Sequence, residues 1–197
     1  MTESGFLQLK STILELLRTD LDQRLTYHCL AHTEDVLEQA QRIALTEGIA
    51  DPKLLLLIKI AALFHDTGFL HTYKGHEEES CRIMEEYVRD PDLTKRDIEM
   101  IKGMIRATKV PQTPHNLPEK ILCDADLDYL GRDDFKPISE TLKDEFLVYG
   151  IIKTEQDWDD MQVSFFESHR YFTGTSLQNR HPLKMKHLQA LKQKVLK

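Results

Sequence analysis

The chain has 197 residues, of which 41% are hydrophobic and 30% charged, and its formal net charge is −7. That length supports one globular unit with its own core. The acidic balance argues against general nucleic-acid binding or a membrane-surface role, while leaving room for a small anionic substrate if a metal ion supplies local positive charge. Cys29, Cys81 and Cys123 form no CxxC pair, and the opening "MTESGFLQLK" resembles neither a secretory nor a transit segment. Both features imply reduced thiols and a cytoplasmic protein. The longest apolar run, "LLLLIKIAALF", is too short to span a bilayer and carries Lys59.

Apolar residues recur with a helical period along nearly the whole chain, so the fold class is all-α. The first helix covers 6–18, with Phe6, Leu9, Ile13, Leu16 and Leu17 on one stripe. The second covers 32–47. The third starts at Asp51 as N-cap with Pro52 at the first helical position. It is apolar nearly all round, which marks a central buried helix over 53–66, and Gly68 is placed to terminate it. "HEEES" opens a fourth helix, where acids suit the dipole. Thr94 and Asp97 resemble a capping box for 95–107. "VPQTPHNLP" (110–118) is a loop. Further helices are predicted over 119–130, 136–149, 155–172 and 181–196.

Some titratable residues fall on apolar faces. The buried third helix ends in His65-Asp66, where an unpaired charge would be costly. His32 shares the stripe of Val36, Ala40 and Ile43. Alone, it reads more often as a satisfied core histidine than as a ligand. Asp126 lies between Leu122 and Leu130 at i, i+4 spacing, and carboxylates are rarely buried without a partner. "DADLD" is not a calcium loop, because Tyr129 and Phe135 stand where Gly and Glu are needed. Asp126 is therefore the inward carboxylate and Asp124 at best a supporting one. Two imidazoles and two carboxylates suit one divalent transition metal with positions left for water and substrate.

These pieces resemble the HD-domain metal-dependent phosphohydrolases, whose signature is H…HD…D on a helical bundle. The carriers are "YHCLAHTEDVL" with His32, "ALFHDTGF" with His65 and Asp66, and "CDADLDYLG" with Asp126. The resemblance spans 25–131, and 132–197 form C-terminal helices that pack on or close over the site. It implies an HD-type bundle around one divalent ion (Mn, Mg, Fe, Ni or Zn) held by His32, His65, Asp66 and Asp126. It also implies hydrolysis of a small phosphorylated metabolite or nucleotide by a metal-activated water. Two-metal members carry further histidines. Here His71 and His76 are present, but "MIRATK" has Thr108 where a later histidine belongs. "HDTGF" likewise offers no Glu base.

His76 and Glu77 are candidate proton-transfer residues, or a loop histidine and a helix-start acid. His28 orients the site or packs beside it. Lys74, Arg106 and Lys109 are candidate phosphate contacts, or solvated charges. The segment "SHRYFTGTSLQNRHPLKMK" either closes over an anion or forms a polar surface. The competing functional readings are a non-catalytic regulatory module that keeps the metal site and a di-iron oxidoreductase of the same fold.

Overall fold

The computed structural model describes residues 1–195. Among them it is all-helical, with no strand. The helices are α1 (Glu3–Asp20), α2 (Leu30–Thr46), α3 (Pro52–Phe64), α4 (His76–Tyr87) and α5 (Lys95–Ala107), followed by α6 (Leu117–Asp126), α7 (Phe135–Val148), α8 (Glu155–Ser168), α9 (Gly174–Asn179) and α10 (His181–Val195). Two 3-10 turns, Thr67–Leu70 and Asp128–Gly131, follow α3 and α6. No helix among the described residues is long and apolar enough to cross a membrane.

The Asp51 carboxylate accepts from the Lys53 amide at 2.9 Å and Pro52 occupies the first turn, so α3 starts where the sequence places it. Ile58, Ile60, Ala61, Ala62, Leu63 and Phe64 are wholly buried. They pack against α1, α2, α4, α5 and α6, so α3 is the central helix of the larger core. A second, smaller core joins Tyr27, Tyr129, Leu130, Phe135, Phe166 and Leu188.

Some sequence expectations need correction. The third helix stops at Phe64 rather than running on to 66. Gly68 does not end it through a left-handed cap. Gly68 lies inside the 3-10 turn, where an added Cβ would meet the His76 carbonyl oxygen at 2.0 Å. Glycine is needed there for close approach. The helix expected over 119–130 begins two residues earlier, at Leu117, and ends at Asp126. The following turn keeps Leu130 buried without continuing the helix. The helix expected over 155–172 ends at Ser168. The short α9 was not anticipated, and the last residue expected in the final helix, Leu196, lies outside the described residues.

The C-terminal elements are tied to the rest by buried charge. Asp128, wholly buried, receives Arg42 of α2 at 2.9 Å and Arg180, which follows α9, at 2.9 Å. Asp124 accepts from the Phe172 and Thr173 amides at 2.9 and 2.8 Å and from the Thr173 hydroxyl at 2.6 Å.

Candidate metal centre

Three helices deliver the cluster. His32 lies in the first turn of α2. His65 and Asp66 follow the last turn of α3, and Asp126 is the last residue of α6. The C-terminal ends of α3 and α6 thus meet here, and both bring partial negative charge. The local folding of α3 secures its half. The His65 Nδ1–H donates to the Ala62 carbonyl at 2.8 Å, and the Thr67 hydroxyl donates to the Phe64 carbonyl at 2.8 Å. Both satisfy carbonyls that a helix end leaves open.

That bond fixes the chemistry of the other imidazole edge. With Nδ1 so engaged, His65 turns its Nε2 edge inward, and in the neutral ring that edge is a lone pair. It stands 3.3 Å from His32 Nε2 and 3.1 Å from Asp66 Oδ2. His32 Nε2 is 3.3 Å from Asp66 Oδ2 and 3.3 Å from Asp126 Oδ1. Asp126 Oδ1 is also 3.6 Å from His65 Nε2. The tightest group, with ligand atoms all within 4.8 Å of one another, is His32, His65 and Asp66. Asp126 adjoins it through both imidazoles. Asp66 Oδ2 is buried and has no hydrogen-bond partner. Two imidazole nitrogens and two carboxylate oxygens, all atom types that ligate metals, therefore face one point, and a divalent cation or imidazolium protons satisfy such a set.

The electrostatics agree. Burial pushes the imidazole pKa of His65 down, but Asp66 and Asp126 outweigh it and hold it well above the usual range. Burial pushes Asp66 up, and His65 and His32 overcome it, holding the carboxyl well below its usual range. Asp126 is drawn down to about 2 against burial by His32 and His65. The site stabilises positive charge at its centre.

A second layer surrounds the cluster. His76 Nε2 is 3.4 Å from Asp66 Oδ1 and 3.8 Å from Glu77 Oε1. Phe69 stacks with the His76 ring at 4.0 Å and with the His28 ring at 4.2 Å. His28 lies just before α2 and turns its Nδ1 to Glu145 of α7 at 2.5 Å. Glu145 is wholly buried and also accepts from the Tyr27 and His28 amides at 3.0 Å and the Tyr73 hydroxyl at 2.9 Å. Gln112 reaches Asp126 Oδ2 at 3.4 Å. Sequence reasoning missed Phe69, Tyr73, Gln112 and Glu145. Only the buried position of Glu145, which breaks the pattern of solvated acids on α7, could have signalled it.

Other expected residues lie elsewhere. Asp124 turns to the 172–173 segment and contacts none of the four cluster residues, so it supports the C-terminal chain rather than the ligands. Arg106 is exposed and grips Glu78 through two bonds of 2.7 and 3.0 Å. Lys74 and Lys109 are exposed, and among the described residues no ion pair joins either to the cluster. His71 is exposed and bonded to Glu79, and the Thr108 hydroxyl donates to the Ile105 carbonyl, so neither extends the ligand set.

A family model described as HD domain matches residues 29–128, just over half of the chain. The match contains all four cluster residues. No curated protein matches the chain.

Proposed function

The chain belongs to the HD-domain family, and from that premise we propose that it is a metal-dependent phosphohydrolase acting on a small phosphoester or nucleotide. The observation that carries the reading is the convergence of His32, His65, Asp66 and Asp126 on one point. These residues would hold one divalent ion. When bound, such an ion polarises a phosphoryl oxygen and lowers the pKa of water toward about 7.

The chain's own side chains do the rest. Burial lowers the pKa of His76, but Asp66 and Glu77 overcome this and raise it, which favours the protonated ring. A protonated His76 beside the cluster can hand that proton to a departing alkoxide. The Phe69 stack and the Tyr73 carbonyl, 3.3 Å from His76 Nδ1, fix the ring's orientation. Glu145 holds His28, which packs on Phe69 at 4.2 Å, so α7 supports the position of His76 indirectly. Lys74, Arg106 and Lys109 remain candidates for steering an anion, and Arg106 would first have to leave Glu78.

The test is phosphate release from a panel of phosphomonoesters, phosphodiesters and nucleotides in the presence of Mn²⁺. Wild type turns over at least one class and Asp66→Ala none. Undiminished turnover by Asp66→Ala would place the activity elsewhere. Inactivity of wild type on the whole panel would favour the regulatory-module reading.

A further inference from the structure

Beside the cluster lies a cavity of about 460 Å³ that the phosphohydrolase reading does not use. His32 belongs to both, lining the cavity while its Nε2 faces Asp66 and Asp126. The Tyr27 ring lies 4.6 Å from the His32 ring, and Tyr129 is 5.5 Å from Tyr27. Pro137, Ile138 and Ala31 continue the wall. Among the described residues His32 is the one cluster residue that lines the cavity, so an organic group reaching it from the cluster passes the His32 ring.

The charge on the wall limits what that group can be. Among the described residues, Arg132 is the one permanently cationic side chain lining the cavity. Its guanidinium is already engaged on both sides. NH1 meets both Asp35 oxygens at 2.8 Å, while Nε and NH2 meet Asp134 at 2.9 and 2.8 Å. Asp35 itself lines the cavity. A second phosphate or carboxylate would find no free cation there and would face the Asp35 carboxylate. An aromatic or apolar group would find two phenol rings and aliphatic surface.

We propose that this cavity selects phosphomonoesters of apolar or aromatic alcohols over polyphosphates and polyol phosphates. This rests on the phosphohydrolase reading for turnover, though not for binding. The kinetic test compares kcat/KM for 1-naphthyl phosphate, glycerol 3-phosphate and adenosine triphosphate with saturating Mn²⁺. The binding test follows the fluorescence of 1-naphthylphosphonate, which is not hydrolysed. A single methylene in an apolar pocket changes kcat/KM by about 10–200-fold. The naphthyl ester should therefore lead both others by at least about tenfold. Ala31→Glu, at an exposed position, and Ile138→Glu put a carboxylate on the wall. Each should lower naphthyl kcat/KM about tenfold more than it lowers glycerol 3-phosphate kcat/KM, and should weaken naphthylphosphonate binding about tenfold. Equal kcat/KM for the three esters, or a lead for the triphosphate, overturns the inference. If no ester is hydrolysed the phosphohydrolase reading fails, and binding alone decides. Phosphonate binding that Ala31→Glu weakens supports the cavity, and absent or unaltered binding overturns it.

Discussion

Asp66 carries two duties that a single carboxylate can hold because its oxygens face different partners. Oδ2 faces the His32 and His65 imidazoles and Oδ1 faces His76. Asp66→Ala or His65→Ala should therefore abolish Mn²⁺-dependent phosphoester hydrolysis and leave helical circular dichroism intact. His76→Ala should retain more, losing about 10²–10⁴-fold, the usual contribution of a proton donor. An Asp66→Ala protein with wild-type turnover would show that the cluster is not the active centre. The four converging residues were legible in the sequence because each interrupts or ends an apolar stripe. Phe69 and Tyr73 were not, because aromatic residues after a buried helix read as ordinary packing. Glu145 was not, because its partners His28 and Tyr73 lie far from it in sequence.

His169 gives a prediction on stability. Both its ring nitrogens are buried without a partner, and Lys184 lies near enough to bond its carbonyl at 2.6 Å. Burial, with the charge of Lys184, pushes its pKa down to about 3. In the unfolded chain an imidazole titrates near 6.5. Between pH 6.5 and 3 the unfolded state binds the extra proton, so stability is full above 6.5 and is lost as pH falls through that window. Asp124 acts in the opposite sense. Burial raises its carboxyl to about 6, so its contribution to stability falls as pH rises from about 4 to 6. The comparison of wild type with His169→Gln isolates the imidazole. The fall in Tm from pH 7.5 to pH 4.5 should be smaller in the variant. Equal falls would mean that His169 is solvated and already free to charge.

At the scale of elements, the capping signals were the most legible. Thr94 accepts from the Asp97 amide at 3.3 Å while the Asp97 carboxylate accepts from the Thr94 amide at 2.7 Å, and α5 starts there as expected. Thr94→Ala should cost about 1 kcal/mol in chemical denaturation without changing turnover. Less legible were ends set by tertiary contact. The 3-10 turn after α6 exists because Gly131 lies against the chain at Arg180, where a Cβ would meet the Arg180 carbonyl oxygen at 2.3 Å. Periodicity alone continued that helix, since Leu130 is buried either way. The tight packing of Gly68 on His76 makes a sharper prediction. Gly68→Ala should destabilise by about 1–3 kcal/mol through overpacking and should lower turnover by displacing His76. A variant with unchanged Tm and rate would contradict the contact.

At the scale of the whole molecule, the family match ends at residue 128, yet the site draws support from beyond it. Glu145 holds His28, Arg180 neutralises Asp128, and the 172–173 amides satisfy Asp124. Removing one partner of a buried charge costs about 3–5 kcal/mol, and a domain's stability is typically about 5–15 kcal/mol. A chain cut after Gly131 should therefore fail to give a cooperative thermal transition. A sharp transition from that fragment would show that the C-terminal helices are dispensable. Their role was the least legible feature of the sequence, because it lies in pairings such as Asp124 with Thr173 that no local pattern encodes.

His32, His65, Asp66 and Asp126 face one point in space together. Anomalous scattering from crystals grown with Mn²⁺ probes that point. One strong peak is expected at ligand distances, about 2.0–2.3 Å for a transition metal, from His32 Nε2, His65 Nε2, Asp66 Oδ2 and Asp126 Oδ1. No peak there at saturating Mn²⁺, or a peak bound only by surface carboxylates, would contradict it.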